Sequence, residues 1–356
     1  MRIAILGVGL IGGSVGLAAK REGHEVAAWD VDPAVLEAAV ERGAVDATAG
    51  SVAEAVAGAG AAFLCAPVGA LPALTAEVLA AAPSDCAVTD VGSTKRALAA
   101  ATDDERFVGG HPIAGAESSG VAHARADLFQ GAAWYLTPGD RASGVLYERL
   151  HGILTSFGAH PIAIDAETHD SLMAVTSHLP HVIADAMLVQ AGERLGEHDS
   201  GVPRVGASLR DATRVAGANP AIWTDIFMSN AASLAEEVRE LSGTLASVAD
   251  WLEAGDAERV RDWHARARAE RQRLLEADLA GGPVDELRVS VPNRPGIVAQ
   301  VALALGRGGV NIADMALAPA PDNRTGSITL WVVGDGAGAR AADLVGKLGF
   351  QAAQRE

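Results

Sequence analysis

The segment Gly7-Val8-Gly9-Leu10-Ile11-Gly12 constrains this chain more than any other part of it. It follows an apolar run, Arg2–Leu6, that reads as a strand, and it opens an Ala- and Gly-rich stretch that reads as a helix. In that context each glycine has a physical task. Gly7 permits a tight turn, Gly9 lets a pyrophosphate approach the backbone, and Gly12 lets helix and strand pack closely. The helix N-terminus, with Leu10 and Ile11 in its first turn, then faces the phosphates. A second apolar run, Glu25–Trp29, ends at Asp30, where a carboxylate accepts hydrogen bonds from an adenosine ribose and repels a 2′-phosphate; Asp32 is a stand-in for it. The expected cofactor is therefore NAD rather than NADP. A glycine turn with no ligand is the bland alternative, and the strand, helix and acidic residue together weigh against it.

The runs Ala61–Cys65, Ala87–Asp90, Phe107–Gly109, Ala133–Leu136 and His160–Ile164 continue the alternation of strand and helix to residue 165. That order predicts βαβ units in a Rossmann-type α/β domain with a parallel sheet. From 166 to 280 the strand-like runs stop, and Thr168–Leu195, Pro203–Val215, Pro220–Leu241 and Leu245–Leu279 read as helices, suited to a substrate-binding and dimerisation domain. The Arg-rich stretch Arg259–Arg273 is interleaved with Glu258, Asp262 and Glu270, which predicts a solvated helix face. After the linker Ala280-Gly281-Gly282-Pro283, residues 285–356 show a βαββαβ order, a small α+β domain.

A length of 356 residues suits two or three domains, and a net charge of −17 argues against a nucleic-acid partner. The two cysteines, Cys65 and Cys86, lie in apolar strand-like runs and read as reduced core residues, so a cytoplasmic location is expected. The apolar stretch Ile3–Ala19 carries five glycines and reads as a strand, turn and helix rather than a signal peptide. No other stretch reads as long enough in uncharged apolar residues to span a bilayer, so no membrane partner is expected.

Strand ends on such a sheet point at the ligand crevice. Cys65-Ala66-Pro67 and Asp90-Val91-Gly92-Ser93-Thr94-Lys95 therefore belong near the nicotinamide, with Ser93 also suited to capping a helix from Lys95. His111 follows Gly109-Gly110, is held by Pro112, has Glu117 nearby, and is a candidate general base. Ser177-His178-Leu179-Pro180-His181 has two histidines but no third ligand at metal spacing, so a polar substrate contact is expected and no metal. Asp211-Ala212-Thr213-Arg214 leaves two readings open, a buried Asp211–Arg214 bridge or an Arg aimed at a carboxylate; Trp223 lies close by in sequence.

Together these motifs resemble, in order and spacing, the prephenate and arogenate dehydrogenase family over roughly residues 1 to 280. The resemblance implies NAD-dependent oxidative decarboxylation of prephenate, or of arogenate, in tyrosine biosynthesis by a homodimer. It implies that His111 hydrogen-bonds the substrate's ring hydroxyl and that Ser93 contacts the same hydroxyl and orients His111. It further implies that Arg214 holds a carboxylate, that His181 lines the substrate site, and that Glu117 and Trp223 lie at its edge. Thr94 stands where Val is more usual in the family. Residues 285–356 resemble an ACT domain through Pro292–Gly296 and Val310–Ala313. That likeness implies an amino-acid effector such as tyrosine, contacted by Asn293 and Asn311, although Val291 stands where similar domains use a polar residue.

Overall fold

The computed structural model describes residues 1–115, 119–196, 206–278, 284–292, 308–320, 324–334 and 336–354, together with Ile297, Gln300, Val301, Ala304 and Leu305. The chain divides into two compact units, Met1–Ser242 and Gly243–Glu356.

The first unit begins with β1 (Arg2–Leu6), α1 (Leu10–Arg21), β2 (Glu25–Trp29), α2 (Pro33–Glu41) and β3 (Ala47–Thr48). It continues with α3 (Val52–Val56), β4 (Ala61–Leu64), α4 (Leu71–Ala81) and β5 (Ala87–Asp90). The strands form a parallel sheet in the order β3-β2-β1-β4-β5. Successive side chains of a strand point to opposite faces, and β1 shows why it is apolar throughout. Ile3 and Ile5 pack with Val15, Phe63 and Trp134 on one face, while Ala4 and Leu6 pack with Val52, Leu64 and Leu71 on the other. A strand covered on both faces has no polar side to show.

Next come α5 (Arg96–Ala101), β6 (Val108–Pro112), β7 (Ala133–Pro138), α6 (Gly144–Ser156) and β8 (His160–Ala163). Here the expectation of a wholly parallel sheet is corrected: β6 and β7 pair antiparallel, and only β7 and β8 are parallel. A parallel return needs a helical crossover. Between β6 and β7 the described chain has only a 3-10 turn at Val121–His123, so it doubles back. A single parallel bridge, Val88 to Phe107, sets this second sheet beside β5. Strand β6 also runs further than its apolar residues suggest, so His111 lies in the strand and not after it.

The helical segment opens with α7 (Ala166–Met173), a π-turn (Ala174–His178) and α8 (Leu179–Gly196). Pro180 has no N–H to give the carbonyl one α-turn back, and the π-turn just before it absorbs the mismatch. Contrary to the sequence expectation, Ala166–Arg194 is long and apolar enough, by length and composition, to cross a membrane. In the fold, His169, Asp170, Met173, Ala174, His178 and Ala184 of this stretch are buried in protein, while Val175, Met187, Leu188 and Val189 are exposed. The helices expected at Pro203–Val215, Pro220–Leu241 and Leu245–Leu279 have other limits: α9 (Ala207–Ala212), α10 (Pro220–Ser229), α11 (Ala231–Glu253) and α12 (Ala257–Asp278). Gly243 is helical; the chain turns instead at Asn230, which is buried, and at Gly255, whose φ is +66°.

Helix α12 belongs to the second unit and is exposed along its described face, as its mixed charges predict. It is followed by β9 (Val284–Pro292), β10 (Asn311–Pro319), β11 (Thr325–Val333), α13 (Ala337–Lys347) and β12 (Gln351–Gln354). The four strands pair antiparallel in the order β10-β11-β9-β12. Leu287, Val289, Val291, Ile328, Leu330 and Val332 are buried against Val301, Leu305, Ala341 and Val345. The described positions from Ile297 to Leu305 are helical, which matches the expected βαββαβ order.

Candidate active site

The glycine turn is shaped for a ligand. Gly7 has φ +97°, and a Cβ there would lie 2.6 Å from the carbonyl oxygen of Cys65. At Gly9 a Cβ would meet nothing within 4 Å, so the backbone at the start of α1 faces open space. A Cβ at Gly12 would strike the Gly7 carbonyl, which is why Leu10 and Ile11 can begin a helix so close to β1. Asp30 sits beside this loop: Oδ2 accepts a hydrogen bond from Val8 N at 2.7 Å and Oδ1 accepts one from Asp32 N at 3.0 Å. Asp32 caps α2 by accepting from Ala34 N at 2.9 Å, so it is not needed as a stand-in. Pro67 is exposed just past β4, on the same strand-end side of the sheet. These residues fit a dinucleotide: an open backbone at a helix N-terminus for pyrophosphate and a carboxylate at the end of β2 for ribose.

Deeper in the crevice, β5 ends at Asp90, which is fully buried. Its carboxylate accepts from Gly92 N at 2.7 Å and from Gly110 N at 2.9 Å, and it pairs with the buried ammonium of Lys95. One side chain therefore fixes both the Ser93 loop and the strand that carries His111. Ser93 itself is half-buried and makes no hydrogen bond with a described residue. It is not the cap of α5. That role falls to Asp170, whose carboxylate accepts from Lys95 N at 2.7 Å and Arg96 N at 3.0 Å. Thr94 has a partner too: its hydroxyl lies 3.0 Å from that of Ser229.

His111 Nδ1 lies 2.9 Å from His169 Nε2, and His169 Nδ1 lies 2.8 Å from Asp170 Oδ1. The His169 ring is wedged edge-on between His111 and Tyr135, the residue paired with His111 across β6 and β7. Burial, followed by the neighbouring His169, Lys95 and His178, holds the His111 pKa well below the ordinary histidine value. The contact that orients its ring comes from His169, a residue that sequence reasoning passed over.

On the helical side, His181 stacks on Trp223 with ring centroids 3.3 Å apart and planes inclined by 23°. His181 Nδ1 donates to the Ser177 carbonyl at 3.0 Å. Burial lowers the His181 pKa, and Arg214 adds to that lowering against the contrary pull of Asp185. Arg214 lies in a 3-10 turn after α9 and is exposed, so the buried Asp211–Arg214 bridge does not hold. Helix α9 stops short because Thr213 Oγ1 bonds back to the Leu209 carbonyl at 2.6 Å. His178 is wholly buried, its Nδ1 3.2 Å from Asn230 Nδ2, and burial lowers its pKa to about 4.

The structure thus gathers Ser93, His111, His169, Asp170, His178, His181, Arg214 and Trp223 within the first unit. Glu117 and Asn293 lie outside the described residues, and of Asn311 only the backbone, at the start of β10, is described. His169 and Asp170 are neighbours of His111 that no motif announced, and Lys95, though part of the Asp90–Lys95 motif, had no role assigned to it. An adjacent His-Asp pair in the second turn of a helix after a strand end was the available signal.

Two family models match the chain. One is described as "Prephenate dehydrogenase, nucleotide-binding domain" and matches residues 15–163; the other, "Prephenate dehydrogenase, dimerization domain", matches 165–265. A prephenate dehydrogenase of Lactococcus lactis is 30% identical over 315 residues, 85% of this chain and 86% of that protein. Among solved structures, prephenate dehydrogenase from A. aeolicus, in complex with hydroxyphenyl propionate and NAD+, aligns with a TM-score of 0.70 and 26% identity, over 77% of this chain and 98% of that one. Synechocystis arogenate dehydrogenase aligns with a TM-score of 0.67 and 26% identity, over 77% of this chain and all (100%) of that one. With the glycine cradle, the half-buried histidine near the strand end and the helical wall in place, these matches show that the chain belongs to the prephenate dehydrogenase family.

Proposed function

We propose that this protein catalyses the NAD-dependent oxidative decarboxylation of prephenate to 4-hydroxyphenylpyruvate. The observation that carries the proposal is His111, near the end of β6, which meets His169 at 2.9 Å and lies within electrostatic reach of His178, itself edge-on to the Trp223 that stacks with His181. The family names and the hydroxyphenyl compound and NAD+ in the A. aeolicus complex support the same chemistry.

Bound at Gly7, Gly9, Leu10, Ile11, Gly12, Asp30 and Pro67, NAD supplies a hydride acceptor. The chain's own residues manage position and charge. Arg214 holds a substrate carboxylate, and its planar fork fixes the direction of that group. Ser93, with a hydroxyl not engaged by described residues, contacts the ring hydroxyl. His111 accepts the hydroxyl proton as the ring C–H leaves as hydride, a form of help worth roughly 10²–10⁴-fold in rate. Loss of the ring carboxylate as CO2 returns an electron pair to the ring, and His111 gives the proton back to the oxygen of the new phenol. Burial of His111 keeps the ring neutral and ready to accept.

We take the chain as a dinucleotide-binding domain (1–165), a helical substrate and dimerisation domain (166–280) and an ACT-like domain (285–356). Exposed Met187, Leu188, Val189 and Met228 offer an apolar surface for a second copy, in keeping with the description of the second family model. The βαββαβ unit supports a regulatory role with a tyrosine-like effector. The unpaired, apolar settings of Cys65 and Cys86 support a cytoplasmic location.

The test is NADH formation with prephenate and with arogenate, each with NAD and with NADP, for wild type and His111→Asn. Rapid NAD-dependent turnover of prephenate that the substitution abolishes is expected. Turnover of arogenate alone would reassign the substrate, and no turnover of either by the folded protein would overturn the proposal.

A further inference from the structure

Asp170 is held as a carboxylate by its surroundings. Burial pushes its carboxyl up, but hydrogen bonds from His169 and from the backbone of Arg96 and Lys95 outweigh burial and leave its pKa below the usual value. A backbone N–H can only donate, so both oxygens act as acceptors toward Lys95 and Arg96. A carboxylate with no proton to give leaves His169 Nδ1 as the donor in their 2.8 Å contact. A neutral imidazole with its proton on Nδ1 has a bare Nε2. In that form His169 Nε2 accepts from His111 Nδ1, 2.9 Å away. With its own proton on Nδ1, His111 has a bare Nε2.

We infer that His169 and Asp170 are positioning residues that hold His111 as the Nδ1–H tautomer and so place its basic lone pair on Nε2, toward the substrate hydroxyl. The inference rests on His111 being the base. The logic is that of a catalytic triad with one extra ring: the distant carboxylate sets which nitrogen carries the proton and then stabilises the imidazolium that forms. Tyr135, packed edge-on against His169, keeps the middle ring from turning away.

Two experiments test it. In full-length protein with 15N-labelled histidine, without substrate at pH 7.5, His111 (assigned through His111→Asn) is expected to show protonated Nδ1 and bare Nε2. Protonated Nε2 in the wild type would overturn the inference. That result is readable whether or not the enzyme turns over prephenate, so it separates the tautomer from the assignment of substrate. The second compares His169→Gln with His169→Leu. A glutamine carbonyl can still accept from His111 Nδ1, whereas leucine cannot. The expected outcome is a kcat for the Leu variant lowered on the order of 10²-fold, with KM for prephenate within about threefold and kcat largely restored in the Gln variant. Equal kcat values for the two variants would sink the positioning role, since a merely structural site would not distinguish them by acceptor capacity.

Discussion

Lys95 and Asp90 form an ion pair with both side chains entirely out of water. Removing one partner from such a pair leaves an uncompensated buried charge and costs about 3–5 kcal/mol. Lys95→Met is accordingly expected to lower stability by about that amount in denaturant melts. Arg141→Ala, which deletes the exposed pair with Asp103, should leave the midpoint unchanged. Equal effects from the two substitutions would show that Lys95 is not the anchor its burial implies.

Acid should inactivate this enzyme later than an ordinary histidine would. The active form of His111 is neutral, and its pKa lies well below 6.5. The acid limb of kcat/KM is therefore expected below pH 6.5, lower than sequence alone suggests. A limb at 6.5 or above, measured on wild type, would contradict the packing described around the ring.

Stability should follow a related course. His178 has a folded pKa of about 4 against 6.5 in a free chain. Between those values the unfolded state binds more protons, so unfolding free energy rises with pH across that window and is lost as pH falls from 6.5 toward 4. The contribution is about 3 kcal/mol. Denaturant midpoints taken from pH 4.5 to 7 should show the slope, and His178→Gln should flatten it by about one proton's worth. An unchanged slope would mean that His178 takes up its proton while folded.

The glycine cradle allows a clean separation of folding from binding. A methyl at position 9 meets no protein atom within 4 Å, so Gly9→Ala should melt like wild type. It should nevertheless weaken NAD binding about tenfold or more, because the methyl occupies the path of the pyrophosphate. Asp30→Asn keeps an acceptor for Val8 N while removing the charge, and should raise the NADP-to-NAD ratio of kcat/KM by about tenfold. Unaltered NAD affinity in the Gly9 variant, by fluorescence titration, would place the cofactor elsewhere.

Arg214 should reveal itself in KM. A charge-assisted hydrogen bond is worth about 1.5–3 kcal/mol, so Arg214→Ala is expected to raise KM for prephenate about 10- to 100-fold with kcat little changed. An unchanged KM would remove Arg214 from the site.

Much of the first unit could be read from pattern alone because its strands are buried on both faces. Arg2–Leu6, Glu25–Trp29 and Ala87–Asp90 come out at the expected residues. His111, Ser93 and His181 stand out because glycines, strand ends or a second histidine flag them. His169 and Asp170 do not. In sequence they read as the polar first turns of a helix, and their meaning arises only when residues 58 and 75 positions apart meet. The antiparallel return of β7 escaped for a related reason: a short apolar run does not state its direction. Helix limits were misplaced where side chains decide them, as at Asn230, whose amide donates to the Asp170 carbonyl at 2.7 Å.

The stitches across the crevice set a limit on modularity. Asp225 accepts from Gly69 N at 2.7 Å, Ser229 meets Thr94, and Asp170 closes the first turn of α5. A fragment ending at residue 165 would retain the whole glycine cradle and could still bind dinucleotide. It would also leave the amides of Lys95 and Arg96 uncapped and His111 without its acceptor. Cofactor binding and chemistry are thus heritable separately in this chain: a graft that exchanges the helical segment carries half of the catalytic apparatus with it, and a chimera joined at residue 165 must match both sides of these contacts to be more than a nucleotide-binding protein.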